Sequence, residues 1–247
     1  MRPPTLIGVG VGPGDPQLMT LRAVQVFRDA DRILVPSVET AAQGPGRAEQ
    51  IVVASCPWAA DKLRRVPFSM ARRTGADSRR RQAWETSAQA VVEAFQQGAG
   101  TVAFATIGDP SLYSTFSYLV AQTRTAVPEL EVALVPGITA MQNLAAASLT
   151  PLVEGREALT LVPLTAGLDA VEAALEHSDT VVAYKVGGRL AELMELVERH
   201  DRTGVVGVDI GLPGQQLLPL SEVTTSHAPY FTTVLVTPER TAPGGRS

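Results

Sequence analysis

Three short stretches gather glycine, proline, aspartate and hydroxyl side chains directly behind apolar runs. They are "LIGVGVGPGD" (Leu6–Asp15), "IGDPSLYSTF" (Ile107–Phe116) and "VPGITAM" (Val135–Met141). Glycine lets a backbone approach a neighbour closely or take a positive φ, and proline stops a strand from continuing. Loops at the carboxyl ends of strands are where open α/β sheets bind ligands. A nucleotide-phosphate loop is excluded, because it needs a Gly-Lys-Ser/Thr end and no lysine precedes Lys62. A dinucleotide fingerprint fails in both registers. Counted from Gly8 its third glycine falls on Pro13, and counted from Gly10 it falls on Asp15. Pro13 also lacks an N–H donor, and Asp15 would repel a pyrophosphate. The first loop therefore faces a ligand other than a bare phosphate, or it is a structural turn; this stretch alone leaves both open. Three loops of one character, each behind an apolar strand, point to one shared crevice.

Charge is unevenly placed. Between Lys62 and Arg81 stand Lys62, Arg64, Arg65, Arg72, Arg73, Arg79, Arg80 and Arg81, against the single acid Asp77. This is either a solvated arginine-rich face or a receiver for a polycarboxylate, which the planar guanidinium fork suits. The net charge of −4 weighs against nucleic acid as a partner. Cys56 is the one cysteine, so no intramolecular disulfide and no cysteine-built zinc site is expected. His177, His200 and His227 follow no metal-ligand spacing, and no metal is expected. No apolar run is long enough to span a bilayer, and Pro3 and Pro4 stand where a signal peptide would begin. A cytoplasmic protein without membrane contact is the expectation.

The elements that must hold these loops follow from periodicity. Charge-poor runs at Leu6–Val11, Arg32–Val35, Thr101–Thr106, Glu131–Val135, Leu159–Val162, Thr180–Tyr184, Val205–Val208 and Thr232–Val236 read as strands, several of them buried on both faces. Between them lie helical stripes, such as Trp84, Ala88, Val91, Val92 and Phe95, or Leu21, Val24 and Phe27 behind Thr20 as N-cap. The alternation predicts two α/β domains with largely parallel sheets. The break at "TRTAVPEL" puts the boundary near residues 112–130. The expected division is an N-terminal domain over 1–117, a C-terminal domain over 118–240 and a loose tail over 241–247.

"GVGPGDPQLMTLRA" (Gly10–Ala23), "GDPSLYSTF" (Gly108–Phe116) and "VPGITA" (Val135–Ala140) resemble, in order and spacing, the signature loops of the tetrapyrrole (precorrin) methyltransferases. The resemblance covers nearly the whole chain. "YSTF", together with "KVGG" at Lys185–Gly188, is most similar to the precorrin-2 C(20)-methyltransferases. One stretch departs: members often carry a Glu-Arg pair before a proline where this chain has Asp209 and Ile210.

The resemblance implies the tetrapyrrole methylase fold, with S-adenosylmethionine in a cleft between two α/β domains, a tetrapyrrole in a trough beside it, and a homodimer. It assigns cofactor contacts to Pro13, Ile107, Gly108, Asp109, Ser114, Thr115, Thr139, Ala140, Tyr184 and Lys185, and more weakly to Pro213. Asp109 is chosen to face the cofactor's positive charges, although a turn-forming aspartate is the other reading. Asp15 is the candidate catalytic residue facing the substrate; it could equally be an acid favouring the helix that starts near Thr20. Arg79, Arg80 and Arg81 are the candidate contacts to the substrate's carboxylates. The implied reaction is direct methyl transfer from S-adenosylmethionine to C20 of precorrin-2, giving precorrin-3A and S-adenosylhomocysteine, in cobalamin biosynthesis. The alternatives are the same transfer on a cobalt-bearing ring, another ring carbon, or a non-catalytic nucleotide- or tetrapyrrole-binding module.

Overall fold

The computed structural model describes residues 3–37, 44–67 and 76–240, the side chains of 76–80 excepted. The chain divides into two compact units, Met1–Thr139 and Ala140–Ser247.

In the first unit β1 (Thr5–Gly10), β2 (Arg32–Ser37), β3 (Leu63–Pro67), β4 (Thr101–Thr106) and β5 (Glu131–Val135) form one sheet in the order β3-β2-β4-β1-β5. Every pairing is parallel. Strand alternation sends Val9, Ile33, Val35, Ala103 and Ala105 to one face, under α1 (Leu21–Asp29) and α2 (Arg47–Ser55). Leu6, Leu34, Val102 and Phe104 point to the other face, under α3 (Ala76–Gln96) and α4 (Phe116–Ala126). Both faces are covered, which is why β1 and β4 carry no charge. Gly8 is needed for this packing, since a Cβ there would lie 2.8 Å from the Phe116 ring. Thr20 caps α1 as expected, its hydroxyl accepting from the Ala23 N–H at 3.1 Å.

The strand order creates a switch point. From β1 the chain crosses through α1 to β2 on one side; from β4 it crosses through α4 to β5 on the other. The loops behind the adjacent strands β1 and β4 therefore lead off to opposite sides of the sheet, at the carboxyl edge where open α/β sheets bind ligands.

The second unit holds β6 (Leu159–Pro163), β7 (Thr180–Tyr184), β8 (Thr203–Val208), β9 (Gln216–Pro219) and β10 (Thr232–Thr237) in the order β6-β7-β10-β8-β9. Leu144 of α5 (Ala140–Ala147) packs on one face with Val182 and Leu235; α6 (Leu168–His177) and α7 (Leu190–Arg199) cover the other. Here the expectation of a largely parallel sheet is corrected. Only β6 and β7 run parallel; β10 is antiparallel to both β7 and β8, and β8 to β9. No α-helix separates Val208 from Thr232, and antiparallel neighbours need no helical crossover.

The expected boundary at 117/118 is also displaced. β5 pairs with β1 along Thr5–Val9, so the segment through Thr139 belongs to the first unit. The tail over 241–247 lies outside the described residues.

Candidate functional site

The glycines behind β1 and β4 meet backbone to backbone. Val11 N–H donates to Thr106 O at 2.9 Å, Gly108 N–H to Gly12 O at 2.8 Å, and Gly12 N–H to Gly108 O at 3.4 Å. Gly12 and Gly108 take φ of 83° and 67°, a region that side chains rarely enter. The third loop closes on the same point. A Cβ on Gly10 would lie 2.5 Å from Gly108 O and 2.7 Å from Gly137 N, so no larger residue fits there without moving backbone.

Asp109 fastens the second loop to the third. Its Oδ2 accepts from the Gly137 N–H at 2.9 Å, and its Oδ1 accepts from the N–H and hydroxyl of Ser111. Burial pushes the Asp109 carboxyl up, but these hydrogen bonds outweigh it and hold the group below the usual aspartate range. Its observed role is the turn-forming one, and it acts through its neighbours. Asp15 is likewise used locally. Its Oδ1 accepts from the Gln17 N–H at 2.8 Å and caps the short turn Pro16–Leu18, while Thr20 caps α1 instead.

Ser114 bridges strand and helix. Its hydroxyl lies 3.3 Å from the Thr106 hydroxyl and accepts from the Phe116 N–H at 3.2 Å, so it starts α4. The Thr115 carbonyl accepts from the N–H groups of Tyr118 and Leu119, both at 3.1 Å. Tyr113, just before them, is exposed at a φ of 52°, and partial burial raises its phenol pKa, so the hydroxyl stays protonated. Pro13 and Gly108 are buried, and Ile107 is half-buried beneath them. Thr139 is buried at the end of the third loop.

The switch point thus brings together Pro13, Ile107, Gly108, Asp109, Ser114, Thr115 and Thr139 in the first unit. In the second unit Ala140 opens α5, and the Tyr184 hydroxyl accepts from the Met141 N–H at 3.1 Å, capping that helix. Lys185 follows β7 at a φ of 56°, and Pro213 is exposed between β8 and β9. Sequence reasoning anticipated a close backbone approach in the first loop but missed its partner Gly137 and the role of Ser111. The Asp109-x-Ser111 spacing was a usable signal, since aspartate commonly bonds the backbone two residues on.

The arginine-rich stretch divides. Lys62 donates to Arg28 O at 2.7 Å and Ala30 O at 2.8 Å, closing the end of α1. Arg64 pairs with Glu93 at 2.7 Å, and Arg65 forms a two-pronged pair with Glu49. These three are occupied by the fold itself. Arg72, Arg73 and the side chains of Arg79 and Arg80 lie outside the described residues, and Arg81 is exposed on α3. Cys56 is buried, as expected for a small packing residue, and burial pushes its thiol up. Among the described residues no group of His, Cys, Asp and Glu is placed to hold a metal, and no helix is long and apolar enough to cross a membrane.

Chemically, the three loops present glycine backbone, hydroxyls and two carboxylates, and between residues 10–20, 106–116 and 135–141 there is no lysine or arginine. That donor set fits a ligand bearing positive charge and disfavours a polyphosphate.

A profile of tetrapyrrole (corrin/porphyrin) methylases matches residues 5–224. A precorrin-2 C(20)-methyltransferase from Sinorhizobium sp is 31% identical over 240 residues, 94% of each chain. A cobalt-precorrin-2 C(20)-methyltransferase from Salmonella typhimurium is 30% identical over 236 residues, 94% of this chain and 95% of that one. The cobalamin biosynthesis protein CobIJ of Mycobacterium tuberculosis is 27% identical over 257 residues; the match takes 98% of this chain but 46% of that protein, so the chain spans about half its length. Among solved structures, uroporphyrin-III C-methyl transferase from Thermus thermophilus complexed with S-adenyl homocysteine superposes with a TM-score of 0.67 at 18% identity, over 94% of this chain and 92% of that one.

Proposed function

The chain belongs to the tetrapyrrole (corrin/porphyrin) methylase family, and we propose on that premise that it methylates C20 of precorrin-2, using S-adenosylmethionine, in cobalamin biosynthesis. The observation that carries the reading is the meeting of three loops at the switch point, which bring together glycine backbone, hydroxyls and two carboxylates with no basic side chain. It fits a zwitterionic nucleoside carrying a sulfonium and an ammonium. The full-length C(20)-methyltransferase relatives support the ring position.

When bound, S-adenosylmethionine would supply an electrophilic methyl group: an electron-rich meso carbon of the reduced macrocycle would take it in line as the methyl–sulfur bond breaks, S-adenosylhomocysteine would leave, and the methylated ring would lose or redistribute a proton. The protein's share is to hold and orient. Gly12, Gly108 and Gly137 bring backbone close enough to line the ligand, and Asp109 fixes two of the loops in register. Pro13, Ile107, Ser114, Thr115 and Thr139 are the proposed contacts of the first unit; Ala140, Tyr184, Lys185 and Pro213 are those of the second. Holding two reactants in line can lower a barrier by roughly 7–11 kcal/mol, so no covalent protein nucleophile is required. Asp15 keeps its proposed place facing the substrate, where its carboxylate would accept a pyrrole N–H.

The test is calorimetry with S-adenosylhomocysteine, followed by turnover of precorrin-2 with product mass and carbon-13-labelled methyl NMR. One added methyl at C20 is the expected product. Ligand binding without S-adenosylhomocysteine formation would instead favour a non-catalytic binding module. Because the Salmonella relative is named for a cobalt-bearing ring, the assay runs in parallel on cobalt-precorrin-2, and the ratio of the two kcat/KM values assigns the substrate's metal state.

A further inference from the structure

The reading above leaves unused a pair of stacked aromatic rings beside the second loop. Trp84 of α3 and Tyr118 of α4 lie with ring centroids 4.3 Å apart and planes within 13°. Tyr118 is 49% exposed, unusual for a ring that could have been buried between two helices. Trp84 also borders a small pocket, lined with it by Pro36, Pro67, Phe104, Thr115 and Leu119. Pro36 and Pro67 stand at the carboxyl ends of β2 and β3, and Thr115 belongs to the loop behind β4, so the pocket opens on the edge of the sheet that carries the crevice. Ser87 braces it, its hydroxyl donating to Pro67 O at 3.1 Å.

Topology adds charge to this edge. α3 carries the chain from the carboxyl end of β3 back to the amino end of β4, so its first turns lie at the carboxyl edge. Those turns include positions 79–81, and Arg81 is exposed one helical turn before Trp84. A flat aromatic face next to arginine, with a pocket too small for a whole ring system, describes a recognisable ligand. The macrocycle lies on the face, and its carboxylates meet the guanidinium.

The geometry points to the Trp84–Tyr118 stack as the platform on which the polycarboxylate macrocycle lies, with Arg81 as a specificity residue for its carboxylates. This rests on the tetrapyrrole reading of the crevice. It goes beyond the expectation drawn on sequence alone, where Trp84 was part of an apolar helical stripe.

The test uses the full chain with uroporphyrin, a stable octacarboxylate macrocycle, as the binding probe. Tyr118→Ala and Arg81→Glu are compared with Trp58→Phe. Trp58 is the other tryptophan, lies under Arg28 at 5.5 Å, and precedes β3, at the opposite edge of the sheet. Tyr118→Ala and Arg81→Glu are expected to weaken uroporphyrin about tenfold, the size of one aromatic contact. They should also raise KM for precorrin-2, while kcat and S-adenosylhomocysteine affinity stay at wild-type values. Trp58→Phe should change none of these. Wild-type uroporphyrin affinity in both variants overturns the platform. So does an equal loss of uroporphyrin and S-adenosylhomocysteine binding in variants that melt as the wild type does, because the two residues then do not act on the macrocycle in particular. If the wild type forms no S-adenosylhomocysteine from precorrin-2 yet binds uroporphyrin in a Tyr118-dependent way, methyl transfer falls and the platform stands.

Discussion

Asp109 spends both carboxylate oxygens on Ser111 and Gly137, so its charge holds the second and third loops together. Charge-assisted hydrogen bonds are roughly twice as strong as neutral ones, and Asp109→Asn, which removes the charge and turns one acceptor oxygen into a donor, is expected to cost about 1.5–3 kcal/mol. It should also weaken S-adenosylhomocysteine binding, because both loops line the crevice. The pH dependence follows from the lowered pKa. A carboxyl with a folded pKa below its ordinary value of 3.8 stabilises the fold fully above that value and loses the contribution as pH falls through the folded pKa. Denaturant melts of wild type and Asp109→Asn should therefore differ at neutral pH, begin to converge only below about pH 3.8 and meet once pH has fallen through the lower folded pKa; a difference that persists below it would sink the ionised clasp. Gly10→Ala tests the close approach directly. Its Cβ meets backbone on two sides rather than flexible side chains, so overpacking of about 1–3 kcal/mol is expected, with S-adenosylhomocysteine affinity lost in calorimetry. The need for glycine here was legible from the spacing of the first loop. Its partner Gly137 was not, because the contact joins residues 127 positions apart, at opposite ends of the first unit's sequence.

Among the elements, α5 is short at Ala140–Ala147, and a helix of that length is marginal by itself. Its first turn is secured from outside by the Tyr184 hydroxyl at the end of β7. Tyr184→Phe keeps the ring and removes that acceptor, so a loss of about 1 kcal/mol is expected, as for a missing cap. Faster hydrogen exchange should be confined to the α5 amides, and uniform acceleration across the second unit would contradict the cap. α1 shows the converse device, with Lys62 donating to the carbonyls at its end, a favourable placement of positive charge at a helix C-terminus. Thr20, the cap of α1, could be read from sequence because capping depends on residues three apart. Lys62 could not, since it acts across 32 to 35 positions. The strands divide in the same way. β4, β5 and β7 have the bounds that their apolar runs predict. β3 and β9 were missed: β3 carries two adjacent arginines and β9 is exposed along its length, so neither shows a buried pattern. The direction of β10 was misjudged for a related reason. It is central and buried at every position, and an antiparallel strand covered on both faces has the same uncharged sequence as a parallel one.

Over the whole chain, the first sheet is complete at Val135, whereas the second waits for β10, the last strand in sequence, which fills its centre. That order explains why the break at "TRTAVPEL" was a poor guide to the boundary: the strand behind it, β5, pairs back to β1 across the length of the first unit. It also makes the residues just past β10 important for closing the second unit. Arg240 reaches back to Pro151 O at 3.1 Å, to Glu154 at 3.1 Å and to both oxygens of Glu157, whose side chain is 1% exposed. The hydrogen bond and charge of Glu157 raise the Arg240 pKa, so the guanidinium stays charged at every accessible pH. Removing one member of so buried a pair leaves the other desolvated without compensation, which typically costs about 3–5 kcal/mol, whereas replacing both by apolar groups is often neutral. Arg240→Met alone should therefore destabilise the second unit strongly, and the double variant Arg240→Met with Glu157→Leu should recover most of that loss. Urea melts followed by hydrogen exchange resolve the effect by unit: the loss should appear in β6 to β10, while β1, β2, β4 and β5 keep their protection. If the double variant is no better than Arg240→Met, the pair is not what closes the unit, and the packing of β10 alone would have to account for it.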